Sequence, residues 1–297
     1  MFSLPEGVDL NSLLLFLKNI GLESSSILRN FENGSIPLYD LNQNTKLKEN
    51  INDPVTAADL TINKLFIDRF KEFYPDSDWE IITEENSKNS FCLNTKSDWV
   101  WLIDPLDGTK DFIQKTGEYA IHVALLFKKK TILGMVVLPS IEEIWFGVKN
   151  LGTWKDGEKE PIFVKDLEKI SKIDNLKVVT SKNHNNKKLE SILGQLNHSN
   201  ISKMGSIGYK ICSLLRNESN IYLSISDKTA PKDWDIAAPQ VLMNSANLNF
   251  TYVSGDEINY SNDEYQQKGC LVASTLSRDQ HLRVCKKIYS TIKELSI

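Results

Sequence analysis

The sequence predicts an α+β protein in two parts, an N-terminal α+β half over residues 1–165 and a C-terminal α/β half over residues 166–297. Apolar residues recur at helical spacing in the first quarter. Short apolar runs separated by tight polar turns come next, and after about Ile162 runs of strand and helix character alternate.

Taken in order, Leu10, Leu13, Leu14, Leu17 and Ile20 mark one amphipathic helix, and Ile62, Leu65, Phe66, Phe70 and Phe73 mark a second, ended by Pro75. An Asn- and Lys-rich stretch separates them. Ile81 to Thr83 and Trp99 to Ile103 read as apolar strands that end in acid. Ile121 to Phe127, Ile132 to Leu138 and Ile144 to Val148, joined by short turns, read as an antiparallel meander. In the second half, Leu176 to Val179, Ile221 to Ile225 and Cys270 to Ala273 read as strands. Lys187 to Leu196, Ile207 to Leu215, Trp234 to Ala246 and Asp279 to Leu295 read as helices.

Composition narrows the class. With 41% hydrophobic and 25% charged residues the chain can bury a sizeable core, and it shows no repeat or low-complexity tract. Lys plus Arg total 35 against 39 Asp plus Glu, so the cationic excess that nucleic-acid binding needs is missing. The longest apolar runs fall well short of the roughly 18 to 20 residues of a membrane span. Glu6 and Asp9 stand where an export signal would carry basic residues, so a cytoplasmic location is expected. Cys92, Cys212, Cys270 and Cys285 lack metal-site spacing and read as reduced core thiols.

Four acidic stations stand at the ends of elements. In Trp99-Val100-Trp101-Leu102-Ile103-Asp104-Pro105-Leu106-Asp107-Gly108-Thr109, an apolar strand delivers two carboxylates into one tight turn. Pro105 removes a ladder donor there and Gly108 lets the backbone turn closely. A helix beginning at Thr109 would aim free N–H groups at the same spot, which suits a phosphate. The plainer reading is an Asp-rich turn with Asp107 as a helix cap. Glu84-Glu85 after Ile81-Ile82-Thr83 can equally be a solvated pair. Pro54 to Asp59 reads just as well as a capping box with Thr56 as the cap, and Asp235 in Lys232-Asp233-Trp234-Asp235-Ile236-Ala237-Ala238 as an N-cap.

Together the four stations resemble the lithium-sensitive, magnesium-dependent phosphatase superfamily of inositol monophosphatase, fructose-1,6-bisphosphatase and the 3'(2'),5'-bisphosphate nucleotidases. Asp104 to Thr109 is similar to its D-P-[IL]-D-G-T signature, Glu84-Glu85 to its E-E strand end, Pro54 to Asp59 to its P-V-T-x-x-D, and Trp234-Asp235 with Ala237 to its W-D-x-A. The resemblance implies a layered αβαβα sandwich and spans most of the chain. Lys110-Asp111-Phe112, Gly205-Ser206-Ile207-Gly208-Tyr209-Lys210 and Trp234 to Pro239 resemble the bisphosphate nucleotidase branch, which includes the bacterial CysQ type. One departure is Ser224 after Tyr222-Leu223, where several members of that branch carry an arginine.

Carboxylates of Asp59, Glu84, Asp104, Asp107 and Asp235 in one pocket would repel by roughly 4 kcal/mol per close pair at an effective dielectric of about 20, which calls for hard divalent cations. Oxygen-only ligands select Mg2+. The resemblance implies two or three ions. Glu84, Asp104 and the Leu106 carbonyl would hold one, Asp104, Asp107 and Asp235 a second, and Asp59 with Glu84 a third. It also implies that Thr109, paired with Asp59, orients the attacking water and that the N–H groups of Gly108 and Thr109 hold the phosphate. Lys110, Gly205, Ser206, Lys210 and Asp235 would face the rest of the substrate.

The expected activity is therefore removal of the 3'-phosphate of adenosine 3',5'-bisphosphate, a small-molecule ester, by a chain for which a homodimer is also compatible. An inositol or sugar phosphatase would use the same metals. A catalytically silent binding protein would be expected to have lost an acidic ligand or Thr109, and all are present. The four histidines form no cluster, and His122 reads as a strand residue rather than a catalytic base.

Overall fold

The computed structural model describes residues 4–35, 54–87, 97–157, 175–182, 187–226, 230–260 and 265–295. It opens with helix α1 (Leu10–Glu32), capped by Asp9, whose carboxylate accepts the Ser12 N–H at 2.8 Å. Helix α2 (Pro54–Phe73) follows. The capping box expected at Thr56 is not the start of that helix: Pro54 begins it, as proline's fixed φ and missing donor allow at a first helical position, so Asp59 lies inside.

Strand β1 (Trp79–Thr83), short helix α3 (Glu84–Ser87), strand β2 (Trp99–Asp107) and short helix α4 (Thr109–Ile113) come next. The meander is β3 (Ala120–Phe127), β4 (Lys130–Leu138), β5 (Glu143–Val148) and β6 (Gly152–Lys155). These six strands form one sheet in sequence order, β1 parallel to β2 and the rest antiparallel.

The second part comprises β7 (Leu176–Ser181), α5 (Lys187–Gln195), β8 (His198–Met204), α6 (Ile207–Leu215), β9 (Ile221–Ile225), α7 (Asp233–Ser245), β10 (Asn249–Tyr252), β11 (Cys270–Ser274) and α8 (Arg278–Glu294). Its strands form a mixed sheet in the order β10-β11-β9-β7-β8. The boundary expected near residue 165 falls in 158–174, outside the described residues, as does Cys92. Cys212, Cys270 and Cys285 are free and buried. Among the described residues no helix is long and apolar enough to cross a membrane.

Three cores define five layers. α1 and α2 pack on one face of the six-stranded sheet through residues such as Leu13, Leu17, Phe66, Phe70, Trp101 and Ile103. The opposite face, carrying Val100, Leu102 and Ala124, packs on α6 and α7, which in turn cover Tyr222 and Ala273 of the second sheet. The far side of that sheet is closed by α5 and α8 through Ile192, Val272 and Ile288. Alternate residues of β2 thus enter different cores, which is why the strand reads as one unbroken apolar run. The expected αβαβα sandwich is the observed architecture.

Candidate metal and phosphate site

The acidic stations converge because of how each element ends. β1 and β2 run parallel, with Thr83 beside Ile103, so Glu84 and Asp104 come next to each other at the same end of the two strands. In a regular strand Asp104 and Asp107, three residues apart, would face opposite sides. The register of β2 against β3 shifts between Asp104 and Asp107, and such a bulge re-aims side chains so that both serve one place. Gly108 then turns the chain with φ of +90°, in the left-handed region that favours glycine, and α4 begins. It, not Asp107, occupies the cap position.

Asp59 reaches the cluster from inside α2. Asp235 arrives on α7, one turn into the helix rather than at its cap, with its Oδ2 accepting the Lys232 N–H at 2.8 Å. The Asp104 carboxylate is 1% exposed and accepts the Leu106 N–H at 3.0 Å. Burial raises its pKa well above the carboxylate range, and the charges of Glu84, Asp235, Asp107 and Asp59 push it further. Asp235 is raised to about 8 by burial and by Asp107, and shares a hydrogen bond with Asp104. Among the described residues no three His, Cys, Asp or Glu side chains stand close enough to enclose an ion as they are placed. The carboxylates are in electrostatic range of one another, all donors are oxygen, and their mutual repulsion is what a hard cation relieves. On that test the residues fit Mg2+.

A stability signature follows. A carboxylate whose folded pKa is raised stabilises the fold below its unfolded pKa of about 4 and loses that contribution as pH rises through the folded value. Metal-free protein should therefore melt earlier at pH 8 than at pH 5. Added Mg2+ should raise the melting temperature more at pH 8, with about 2.7 kcal/mol expected at a hundredfold excess over Kd. Calorimetry of metal-free protein at both pH values checks this; a Mg2+ shift absent at pH 8 counts against the site.

Thr109 is half-buried, and its hydroxyl donates to the Leu106 carbonyl at 3.3 Å. Lys110 is exposed at the rim. The segment Gly205 to Lys210 is placed beside the acidic cluster, but largely as framework. Gly205 donates its N–H to Glu118 Oε2 at 2.9 Å, and a Cβ there would lie 2.4 Å from the Glu118 carbonyl, leaving no room for a side chain. Ser206 caps α6, its Oγ accepting the Tyr209 N–H at 2.9 Å, and Ile207 N–H donates to Asp107 Oδ2 at 2.5 Å. Lys210 is 2% exposed; its ammonium donates to the Gly205 carbonyl at 2.6 Å and lies over the Tyr222 ring. Burial lowers its pKa to about 8 against the raising pull of Asp107, Asp111, Glu118 and Asp235.

Three residues at this junction carry no sequence signal. Glu118 pairs with Lys182 at 2.7 Å, Lys182 also reaches Asp111 at 3.3 Å, and His122 lies behind Asp107. No short motif marks them, because β7, β3 and α4 meet only in three dimensions.

The chain is similar to known proteins in sequence and in fold. The model of the inositol monophosphatase family matches residues 23–293. The 3'(2'),5'-bisphosphate nucleotidase CysQ of Buchnera aphidicola is 30% identical over 214 residues, covering 71% of this chain and 75% of that protein. The protein of the same name from Escherichia coli K12 is 28% identical over 71% of this chain and 80% of its own length. Among solved structures, inositol monophosphatase II of Staphylococcus aureus is similar with a TM-score of 0.73 at 17% identity, covering 96% of this chain and 97% of that one. A Thermotoga maritima IMPase is similar with a TM-score of 0.71 at 20% identity, over 95% and 99%. At these identities the structures support the shared fold.

Proposed function

Since the chain belongs to the inositol monophosphatase family, we propose that it is a magnesium-dependent phosphomonoesterase that removes the 3'-phosphate of adenosine 3',5'-bisphosphate to give AMP and phosphate. The observation that carries the phosphatase reading is the buried Asp104 carboxylate ringed by the charges of Glu84, Asp235, Asp107 and Asp59. The nucleotide is supported by the CysQ relatives, which are bisphosphate nucleotidases by name.

In this reading Glu84, Asp104 and the Leu106 carbonyl would hold one cation, Asp104, Asp107 and Asp235 would hold a second, and Asp59 with Glu84 would support a third. Bound there, Mg2+ supplies water activation and leaving-group stabilisation for an in-line displacement. The chain does the rest. Thr109, fixed by its bond to the Leu106 carbonyl, orients the attacking water together with Asp59, and the N–H groups of Gly108 and Thr109 hold the phosphate. Lys110 meets the anionic remainder of the substrate at the rim. Lys210, expected to do so, is buried and serves as an internal counter-charge to the acidic cluster.

Phosphate release from adenosine 3',5'-bisphosphate in Mg2+ buffer, abolished by EDTA and restored by Mg2+, is the expected result. A protein that releases no phosphate under those conditions is not this enzyme. The second reading, an inositol or sugar phosphatase, rests on the same carboxylates, and the missing arginine at Ser224 favours it.

A further inference from the structure

We propose that His122 is a positioning residue: its imidazole N–H steadies the Asp107 carboxylate in the arrangement that binds a divalent cation. The inference rests on the magnesium reading above. His122 is 0% exposed in a strand otherwise filled by Ala120, Ile121, Val123, Ala124 and Leu125, and its ring nitrogens make no hydrogen bond of good geometry, with Asp107 Oδ2 and the backbone of Trp234 and Asp235 as their neighbours. An unsatisfied buried polar group is costly, and a Val or Leu would fill the same space without that cost. The ring therefore needs an account that packing does not supply.

Its surroundings give one. In the β2–β3 register His122 stands directly opposite Asp104. Its Nε2 is 3.5 Å from Asp107 Oδ2, just beyond hydrogen-bond range. That same Oδ2 accepts the Ile207 N–H, so a second donor on it would fix the carboxylate and leave Oδ1 as the oxygen that a cation would use. α6 is shaped to admit the ring: a Cβ on Gly208 would lie 2.3 Å from Nε2. The imidazole also faces the backbone carbonyls of Trp234 and Asp235. Pro239 lies inside α7 and has no N–H, so the Asp235 carbonyl one turn earlier lacks its helical donor. The ring thus stands among β2, α6 and α7, elements that deliver or brace Asp104, Asp107 and Asp235, and a movement of a few tenths of an ångström would bring its Nε2–H onto Asp107.

The test compares His122→Val, which fills the space without a donor, with His122→Asn, which keeps an N–H. Mg2+ affinity is measured calorimetrically on metal-free protein, beside the melting temperature without metal. His122→Val should raise the Kd for Mg2+ by at least about tenfold, the scale of lost support behind a metal ligand, while melting without metal no earlier than wild type. His122→Asn should stay within about threefold of wild type in Kd. Activity lost by His122→Val at low Mg2+ should return as Mg2+ is raised, and in an Asp107→Asn background the Val substitution should have no further effect on Kd. Wild-type affinity in His122→Val, or equal loss in both variants, overturns the proposal while leaving the magnesium reading intact. Should His122→Val fail to fold, His122→Ala carries the same comparison. A wild-type protein that binds no Mg2+ overturns both.

Discussion

Asp104→Asn is expected to lower kcat/KM for phosphate release by about a thousandfold or more, roughly 4 kcal/mol of transition-state stabilisation, while leaving a folded protein. In the proposed site Asp104 is the carboxylate common to two cations, so its neutralisation weakens water activation and leaving-group stabilisation together. Folding should survive because asparagine fits the local bonds: its oxygen can accept the Leu106 N–H and its amide can donate to Asp235. Asparagine keeps neutral at every pH a position whose carboxyl resists ionisation, so the metal-free mutant should melt at or above wild type. Steady-state kinetics with calorimetry checks both halves. A mutant that keeps more than about a tenth of wild-type activity places the bridging carboxylate elsewhere.

The second large effect concerns the substrate. kcat/KM for adenosine 3',5'-bisphosphate should exceed that for inositol 1-phosphate by at least about a hundredfold, or about 2.7 kcal/mol. Both esters bring the same phosphate to the same carboxylates, so discrimination must come from contacts remote from the reacting centre. Of the two lysines expected to make them, Lys210 is buried against Gly205, and Lys110 is exposed at the rim. Lys110→Ala should therefore cost nucleotide turnover about tenfold and leave inositol phosphate turnover nearly unaffected. Lys210→Met should lower both, because it strips a counter-charge from Asp107, Asp111, Glu118 and Asp235. A wild type that prefers inositol 1-phosphate moves the enzyme to the sugar phosphatases.

The legible parts of the molecule share a physical cause. Strands β2, β3 and β4 are covered on both faces and the long helices on one, so apolar content and period announce them. The strands that the sequence pattern does not reveal, β6, β8 and β10, all lie at sheet edges, where one side of the ladder is free and polar residues are tolerated. The sequence of β8, His198–Met204, has no alternation to read. The candidate acidic stations are legible for a different reason. Each carboxylate sits beside the end of a strand or near the start of a helix, so a local motif marks it. His122, Glu118 and Lys182 join the site only through register and packing between distant segments, and no local pattern carries that information.

The placement of Asp235 on the helix between the two sheets bears on how the chain matures. The carboxylates of α2, α3 and β2 emerge early in synthesis, but the helix that covers the inner face of the first sheet is among the last elements made. Until it docks, that face lacks its lid of Trp234, Ala237 and Leu242, and the acidic cluster lacks a member. If the proposed site is right, capture of the cation and closure of the central core would be one late event, and a chain that ends before residue 233 should present an open apolar sheet and no competent metal centre. In the proposed site, divalent-ion binding would report that synthesis has passed α7.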